Sequence, residues 1–252
     1  MDEKSDANVF QTFSYEIQDR IAIFTFKGKA LFNASGLYDM DNLAKSFRKC
    51  TDNKDLRVII VKRSSEKKDR QEYHDFIEYA SRETDKLKIH RMLNYYNQFI
   101  LEMYSQEKFV ISVDSENIVA QFLNLSMACD YRIVADNTVV QKAYFHNGMV
   151  PKGGAVFFLS QIVGKKKAFE ILLSENDITA QNALEMGLVD EVVPRAELDD
   201  AAMKRAEYFA DMPKHTLRGI KKLMNYQAKE LEQYLTYENN VIANIFESLN
   251  MR

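Results

Sequence analysis

Short runs of branched and aromatic residues alternate with longer segments of helical spacing, and this alternation constrains the fold most strongly. The runs at 21–26, 56–61, 109–113 and 131–135 have the composition of buried strands. The run at 56–61 is nearly all apolar, which is typical of a strand covered on both faces. Strands combined with helices favour a mixed α/β core.

The first half of the chain predicts a hairpin followed by helices. Residues 13–17 and 21–26 flank a predicted turn at Gln18-Asp19, and apolar side chains recur at helical spacing in 37–50 and 89–103. Charges dominate 64–84 without a period. This segment therefore predicts a long mobile loop, with one helical turn at 76–80.

The second half predicts mainly helices. Gly164 separates two of them, and Thr179 is expected to cap a short helix that Gly187 ends. The pattern changes after Pro194, where the spacing predicts amphipathic helices only. The helices predicted in this half are 120–129, 153–163, 165–173, 180–186, 196–210, 214–226 and 229–249.

Composition limits the class of protein. A chain of 252 residues with 46% hydrophobic content can bury a sizeable core. Its 34 basic and 37 acidic side chains give a net charge of -3, with no basic tail to attract nucleic acid or anionic lipid. Cys50 and Cys129 lie in packed elements, which indicates a reducing compartment rather than a disulfide framework. Without a secretory signal or a membrane-length apolar run, a soluble, cytoplasmic protein is expected.

Motifs for several kinds of chemistry are missing. No His, Cys and carboxylate cluster has ligand spacing, so no metal is predicted. The Gly153-Gly154 pair is too short for a phosphate loop, and no serine nucleophile elbow occurs. No prosthetic group is expected.

Three segments together resemble one family. Residues 128–133 read ACDYRI, residues 178–194 read ITAQNALEMGLVDEVVP, and residues 217–223 read LRGIKKL. These segments are similar to the crotonase, or enoyl-CoA hydratase/isomerase, superfamily. The resemblance implies an α/β fold in which residues 1–194 form a spiral core of ββα units. It also implies that 195–252 form a helical region that assembles trimers, or hexamers as dimers of trimers.

The resemblance further implies a site for an acyl thioester of coenzyme A or of a carrier protein. Two backbone amides would point at the thioester oxygen, and the best matches assign them to His74 and Gln121. Fixed N–H donors stabilise the negative charge of an enolate oxygen, by about 3 kcal/mol per donor in comparable sites. Gln121 and Phe122 stand where the family has glycines, which alters the width of this oxyanion hole.

Both glutamates that the family's hydratases use are replaced. A gap-free count from 128–130 places Asn124 at the first glutamate position and Tyr144 at the second. Asparagine exchanges no proton at neutral pH, and tyrosine, with a pKa of about 10, is a poor base. Ordinary hydration is therefore expected to be absent or very weak. Isomerisation would need a substitute carboxylate from Glu72, Asp75 or Glu116.

Decarboxylation of a malonyl-type thioester requires less of the protein, because loss of carbon dioxide leaves the enolate directly. Some decarboxylating members of the family have a histidine at the place of His74, and Tyr144 or His146 would deliver the proton. Without the resemblance, Tyr144 and His146 are also consistent with an aromatic loop. A catalytically inactive binding or scaffolding protein is the alternative. The residues expected to contact the coenzyme A portion are Asn33, Ala34 and Lys221.

Overall fold

A computed structural model describes residues 8–27, 37–64, 70–83, 85–119 and 125–250. The strands are β1 (Asn8–Val9), β2 (Phe13–Gln18), β3 (Ile21–Phe26), β4 (Val58–Arg63), β5 (Phe109–Asp114), β6 (Asn117–Val119), β7 (Tyr131–Ala135), β8 (Val139–Gln141), β9 (Ile178–Thr179) and β10 (Glu191–Val193). The helices are α1 (Leu37–Asp52), α2 (Arg70–Arg82), α3 (Lys86–Ser105), α4 (Ala143–His146), α5 (Ala155–Leu173), α6 (Ala180–Glu185), α7 (Leu198–Asp211), α8 (Lys214–Met224) and α9 (Ala228–Asn250).

The larger sheet of the described chain has the order β1-β2-β3-β4-β5-β7-β10. The β2–β3 hairpin is antiparallel, whereas β3, β4, β5, β7 and β10 run parallel. A smaller sheet has the order β6-β8-β9. The parallel strands require helical crossovers between them, which accounts for the mixed α/β architecture expected from the sequence.

Alternation along the strands divides the core between the two faces of the larger sheet. Phe24 and Ile59 point into the main hydrophobic cluster, while their neighbours Ile23 and Ile60 point to the opposite face. There α7 packs through an alanine stripe at Ala202, Ala206 and Ala210, which lets the helix lie close against the strands. The strand at 56–61 was thus correctly predicted to be covered on both faces.

Most of the other predicted elements are confirmed, with small shifts at their ends. Gly164 has φ 75° and ψ 155° inside α5 and divides it into two helical pieces. Thr179 caps α6, since its hydroxyl accepts from the Asn182 N–H at 3.3 Å, and Gly187 follows with φ 73°. Cys50 and Cys129 are buried free thiols, as predicted.

The predicted loop at 64–84 is wrong for most of its length. Residues 70–82 form α2, and Tyr73, Ile77 and Ala80 face a hydrophobic cluster at helical spacing. The charged residues of this segment lie on the outer face of α2. In the sequence they obscure the helical spacing of the short apolar stripe. The small sheet was not predicted either, because strands of two or three residues carry too little alternation.

The helices after Pro194 join the same core as the rest of the chain. α7 covers one face of the larger sheet, and α9 packs along α3 and α2. Leu231 and Leu235 of α9 belong to the main cluster. The division at 194/195 and the assembly of trimers through this region stay predictions. Of the helix predicted at 120–129, residues 120–124 lie outside the described residues, and 125–127 are helical.

Candidate functional site

The carboxyl ends of the parallel strands define one edge of the larger sheet. β3 ends at Phe26, which is paired with Arg63 at the end of β4, and Lys62 is paired with Val113 of β5. In open α/β sheets, ligands bind outside the carboxyl ends of the strands. A ligand-binding site is therefore expected at this edge.

A buried ion pair closes part of this edge. The Arg63 Nε donates to Asp114 Oδ1 at 2.8 Å, and the side chains are only 7% and 5% exposed. The same guanidinium donates to the carbonyls of Asn117 at 3.1 Å and Ser115 at 3.2 Å. Arg63 therefore joins the end of β4 to the turn that leads into β6. Sequence reasoning missed this pair, since a buried arginine has no local signal.

Next to β6 lies an apolar cluster that brings together α2, α3, α4 and α9. We call it the tyrosine cluster. Its members are Tyr73, Ile77, Ala80, Ile89, Leu93, Val119, Ala143, Tyr144, Met149, Ile242 and Phe246. Because Val119 directly precedes Ala120, the cluster borders the segment in which the sequence placed an oxyanion amide.

Tyr144 is buried in this cluster. Its hydroxyl donates to the carbonyl of Leu172 at 3.3 Å, near the end of α5. Burial raises the pKa of Tyr144 to about 12, so the phenol is protonated at neutral pH. The role of Tyr144 at the second glutamate position stays a prediction.

Tyr73 lies beside Tyr144 and was not singled out from the sequence. Burial raises its pKa above the ordinary value, and the neighbouring Tyr144 adds to this shift. Among the described residues, no carboxylate perturbs the pKa of either tyrosine. The signal that could have identified Tyr73 is its helical spacing with Ile77 and Ala80.

The two candidate histidines are exposed. The Nδ1 of His74 lies 2.7 Å from the Oδ1 of Asn147, and this contact ties α2 to the end of α4. His74 is the fifth residue of α2, where a helical N–H points at the carbonyl four residues earlier. The N–H groups that a helix leaves free belong to its first turn, so α2 does not favour the His74 amide as an oxyanion donor.

Four other candidate residues lie outside the described residues, namely Asn33, Ala34, Gln121 and Asn124. The second oxyanion amide and the position of the first replaced glutamate therefore stay predictions.

Lys221 is buried rather than solvated. Its ammonium donates to Asp130 Oδ2 at 2.6 Å and to the carbonyl of Lys108 at 2.7 Å. This pair fixes α8 to the start of β7. Two grooves of about 590 and 260 Å³ lie beside the Lys221–Asp130 pair. Lys221 lines both grooves together with exposed side chains of α8. Their sizes approach or fall within those of small-molecule sites.

A second buried network holds α9 in place. The Glu238 carboxylate accepts from the N–H groups of Gly153 at 2.7 Å and Gly154 at 3.0 Å. Nearby, the Lys152 ammonium donates to Asn97 Oδ1 at 2.7 Å and lies 5.4 Å from the centre of the Tyr96 ring. The Gly153-Gly154 pair thus binds an internal carboxylate.

Two features concern metals and membranes. Among the described residues, no group of three or more His, Cys, Asp and Glu side chains is arranged to hold a metal ion. None of the helices in the described ranges is long and apolar enough to cross a membrane.

Comparison with known proteins identifies a family match and several relatives. The sequence matches the family described as enoyl-CoA hydratase/isomerase over residues 16–252. A probable enoyl-CoA hydratase of Mycobacterium avium is 37% identical over 99 residues, which are 39% of this chain and 38% of that protein. The ethylmalonyl-CoA decarboxylase of Mus musculus is 30% identical over 128 residues, covering 48% of this chain and 39% of that protein. These alignments span about two fifths of the relatives.

Solved structures show the same fold. The enoyl-CoA hydratase from Bacillus halodurans superposes with a TM-score of 0.78 at 20% identity, covering 94% of this chain and 95% of that chain. A probable enoyl-CoA hydratase from Mycobacterium thermoresistibile gives a TM-score of 0.72 at 21% identity, covering 96% and 99%.

Proposed function

Because the chain belongs to the enoyl-CoA hydratase/isomerase family, we propose that it binds an acyl thioester and stabilises the enolate formed on it. The proposed reaction is decarboxylation of a malonyl-type thioester of coenzyme A or of a carrier protein, rather than hydration. The observation that carries this proposal is the pair of buried tyrosines, Tyr73 and Tyr144. Among the described residues, no carboxylate acts on their pKa values.

Hydration of a conjugated double bond needs one group that removes a proton from water and another that delivers one to carbon. With a pKa of about 12, Tyr144 cannot remove that proton at neutral pH. Decarboxylation makes a different demand. The electrons of the breaking bond form the enolate, and hydrogen-bond donors aimed at its oxygen lower the barrier. Isomerisation would still need a proton acceptor, so it is less well supported.

The relatives are compatible with this choice. The mouse protein is named as a decarboxylase of ethylmalonyl-CoA, a thioester with a carboxylate on its α carbon. Its similarity to this chain covers less than half of either protein, so it suggests the substrate class only.

The coenzyme A portion is proposed to lie along α8, as the family resemblance suggested for Lys221. Lys221 itself neutralises Asp130. Lys222 and Arg218 line the larger groove beside it, and Arg218 is paired with Glu107. A phosphate group entering the groove would meet this positive charge. No prosthetic group is proposed. A homotrimer or hexamer in the cytoplasm remains part of the proposal.

The proposal is tested with a panel of thioesters. Purified protein is incubated with malonyl-, methylmalonyl- and crotonyl-CoA, and products are identified by mass spectrometry. We expect acetyl- or propionyl-CoA from the first two and no 3-hydroxybutyryl-CoA from crotonyl-CoA. Efficient hydration of crotonyl-CoA would contradict the assignment.

A catalytically inactive binding protein is the second candidate. The hydrogen bond from Tyr144 to the Leu172 carbonyl favours it, because this contact holds the tyrosine in a structural role. Thermal stabilisation by coenzyme A or acyl-CoA without turnover of any thioester would support this candidate over decarboxylation.

A further inference from the structure

Helix α8 has a charged residue inside and its apolar residues outside. Of the residues of α8, only Lys221 is buried. Ile220, Met224 and Leu223 are 56%, 76% and 78% exposed, and their spacing of three and four residues places them on one face of the helix. An amphipathic helix of a globular protein normally turns such a face to the core. We call these three side chains the α8 stripe.

Polar contacts hold α8 in this orientation. The Lys221 ammonium donates to Asp130 Oδ2 at 2.6 Å and to the Lys108 carbonyl at 2.7 Å. One turn later, the side-chain amide of Asn225 donates to the Tyr104 carbonyl at 2.6 Å. Turning the stripe towards the protein would separate Lys221 from Asp130, and breaking a buried ion pair is strongly destabilising. The fold therefore keeps the α8 stripe at the surface.

The α8 stripe lies between two grooves. Ile220 and Met224 line the groove of about 260 Å³, and Leu223 lines the groove of about 590 Å³. Phe158 of α5 also lines the smaller groove, which adds apolar surface next to the stripe. An apolar ridge with a groove on each side is a surface on which the side chains of a partner helix can pack.

The surroundings of the stripe are basic. Residues 212–229 contain five lysine or arginine side chains and no acidic one, in a chain with a net charge of -3. Lys222 is exposed, and it lines the larger groove together with Arg218, which is paired with Glu107. An acidic partner with apolar side chains complements this surface. Contact between two copies of α8 would instead place like charges against each other, which costs free energy.

We propose that the α8 stripe, with Lys222 and Arg218 beside it, is the docking surface for an acidic acyl carrier protein, a partner choice that rests on the proposed thioester substrate. Carrier proteins of this class are small, acidic and helical, and they bear the acyl group on a phosphopantetheine arm. Free coenzyme A has the same arm and its phosphates, but it has no apolar side chains to cover the stripe. The exposed apolar residues therefore favour the carrier protein over coenzyme A.

The test measures binding of a purified acyl carrier protein to the full chain by titration calorimetry at low ionic strength. Leu223→Asp removes apolar contact and Lys222→Glu adds a like charge, so each should raise the dissociation constant about tenfold. Leu173→Asp and Lys165→Glu make the same changes at exposed positions of α5 and should leave the constant unchanged. Added salt should weaken binding to the wild type, because it screens exposed charges.

Turnover supplies a second readout. Wild type should decarboxylate the malonyl thioester of the carrier protein with a higher kcat/KM than malonyl-CoA. Leu223→Asp should lower this preference, because only the carrier protein is expected to contact the stripe. Leu173→Asp should keep the preference of the wild type.

The outcomes separate the two proposals. Decarboxylation of malonyl-CoA without binding of the carrier protein would overturn the docking surface and leave the proposed reaction standing. Binding that both α8 variants weaken, without turnover of any thioester, would support the docking surface and overturn the reaction. Unchanged affinity in Leu223→Asp and Lys222→Glu would overturn the assignment to α8. Self-association that Leu223→Asp abolishes, or equally tight binding to anionic phospholipid vesicles, would overturn the choice of partner.

Discussion

Buried lysines in this protein bind carbonyl groups inside the fold. The ammonium of Lys108 donates to the carbonyls of Asn53 and Leu56, and that of Lys142 donates to those of Ile171 and Ser174. A cation at the carboxyl end of a helix stabilises its unpaired carbonyls and its dipole. From the sequence, a lysine is expected to be solvated, so these roles were not foreseen.

Glu238 should contribute strongly to stability. The Glu238→Gln variant replaces one acceptor oxygen by an amide that faces an N–H group of the Gly153-Gly154 pair. Hydrogen bonds to charged groups are worth about 2 kcal/mol, so we expect the unfolding free energy in urea to fall by about that amount. Glu170→Gln, in an exposed ion pair, should leave it unchanged. Equal effects of the two substitutions would contradict the buried network.

Lys152 predicts a pH dependence of stability. Burial lowers the pKa of its ammonium from 10.5 to about 8, against the attraction of Glu238. Between these pH values the unfolded chain holds more protons on this residue, so its contribution to the unfolding free energy rises with pH. Below about pH 8, Lys152 is protonated in both the folded and the unfolded chain. Its contribution to the unfolding free energy then stays at its least favourable value.

The Lys152→Met variant should therefore show a smaller slope of unfolding free energy against pH, measured from pH 8 to about 10. Lys229→Met, at an exposed position of α9, should retain the slope of the wild type. Identical slopes in Lys152→Met and wild type would show that Lys152 has the same pKa in both states.

The sequence predicts that Asn124 and Tyr144 replace two glutamates, and this assignment stays a prediction. Tyr144 was singled out by counting from a motif, and the structure places it in a buried cluster next to β6. Tyr73 and Arg63 were not singled out, because each acquires its role from residues distant in sequence. A local pattern reports the periodicity of one segment, whereas burial and pairing depend on contacts between segments.

Helices and strands were predictable where one face is strongly apolar. β3, β4 and β5 lie at the centre of the sheet and carry continuous branched residues, so their composition identified them. α2 was not predicted, because its apolar stripe is short and charged residues occupy many of its other positions. Tertiary packing against α9 and α4, rather than local propensity, accounts for its stability.

Two glycines in helices should respond oppositely to alanine. Gly164 has φ 75° and ψ 155°, a region that other residues rarely adopt, so Gly164→Ala should cost about 2 kcal/mol even though a Cβ meets no atom within 4 Å. Gly219 lies inside α8 with open space around a Cβ, so Gly219→Ala should gain about 0.7 kcal/mol. Urea unfolding of both variants gives the two signs. A stabilised Gly164→Ala would show that the kink does not depend on glycine.

Several distant segments meet at the carboxyl edge of the larger sheet. The Arg63–Asp114 ion pair lies at this edge, and α2, α4 and α9 contribute side chains to the tyrosine cluster next to β6. The C-terminal helix is therefore part of the candidate site and not only an appendage. The tyrosine cluster is apolar, and dry surroundings would strengthen the hydrogen bonds that the proposed enolate stabilisation requires.

The release of carbon dioxide tests this account most directly. Methylmalonyl-CoA labelled with carbon-13 in its free carboxylate is mixed with the protein, and labelled carbon dioxide is followed by membrane-inlet mass spectrometry. We predict release that depends on protein concentration, is inhibited by free coenzyme A, and matches the propionyl-CoA formed. Release no faster than in buffer, from folded protein that hydrates crotonyl-CoA instead, would contradict the account.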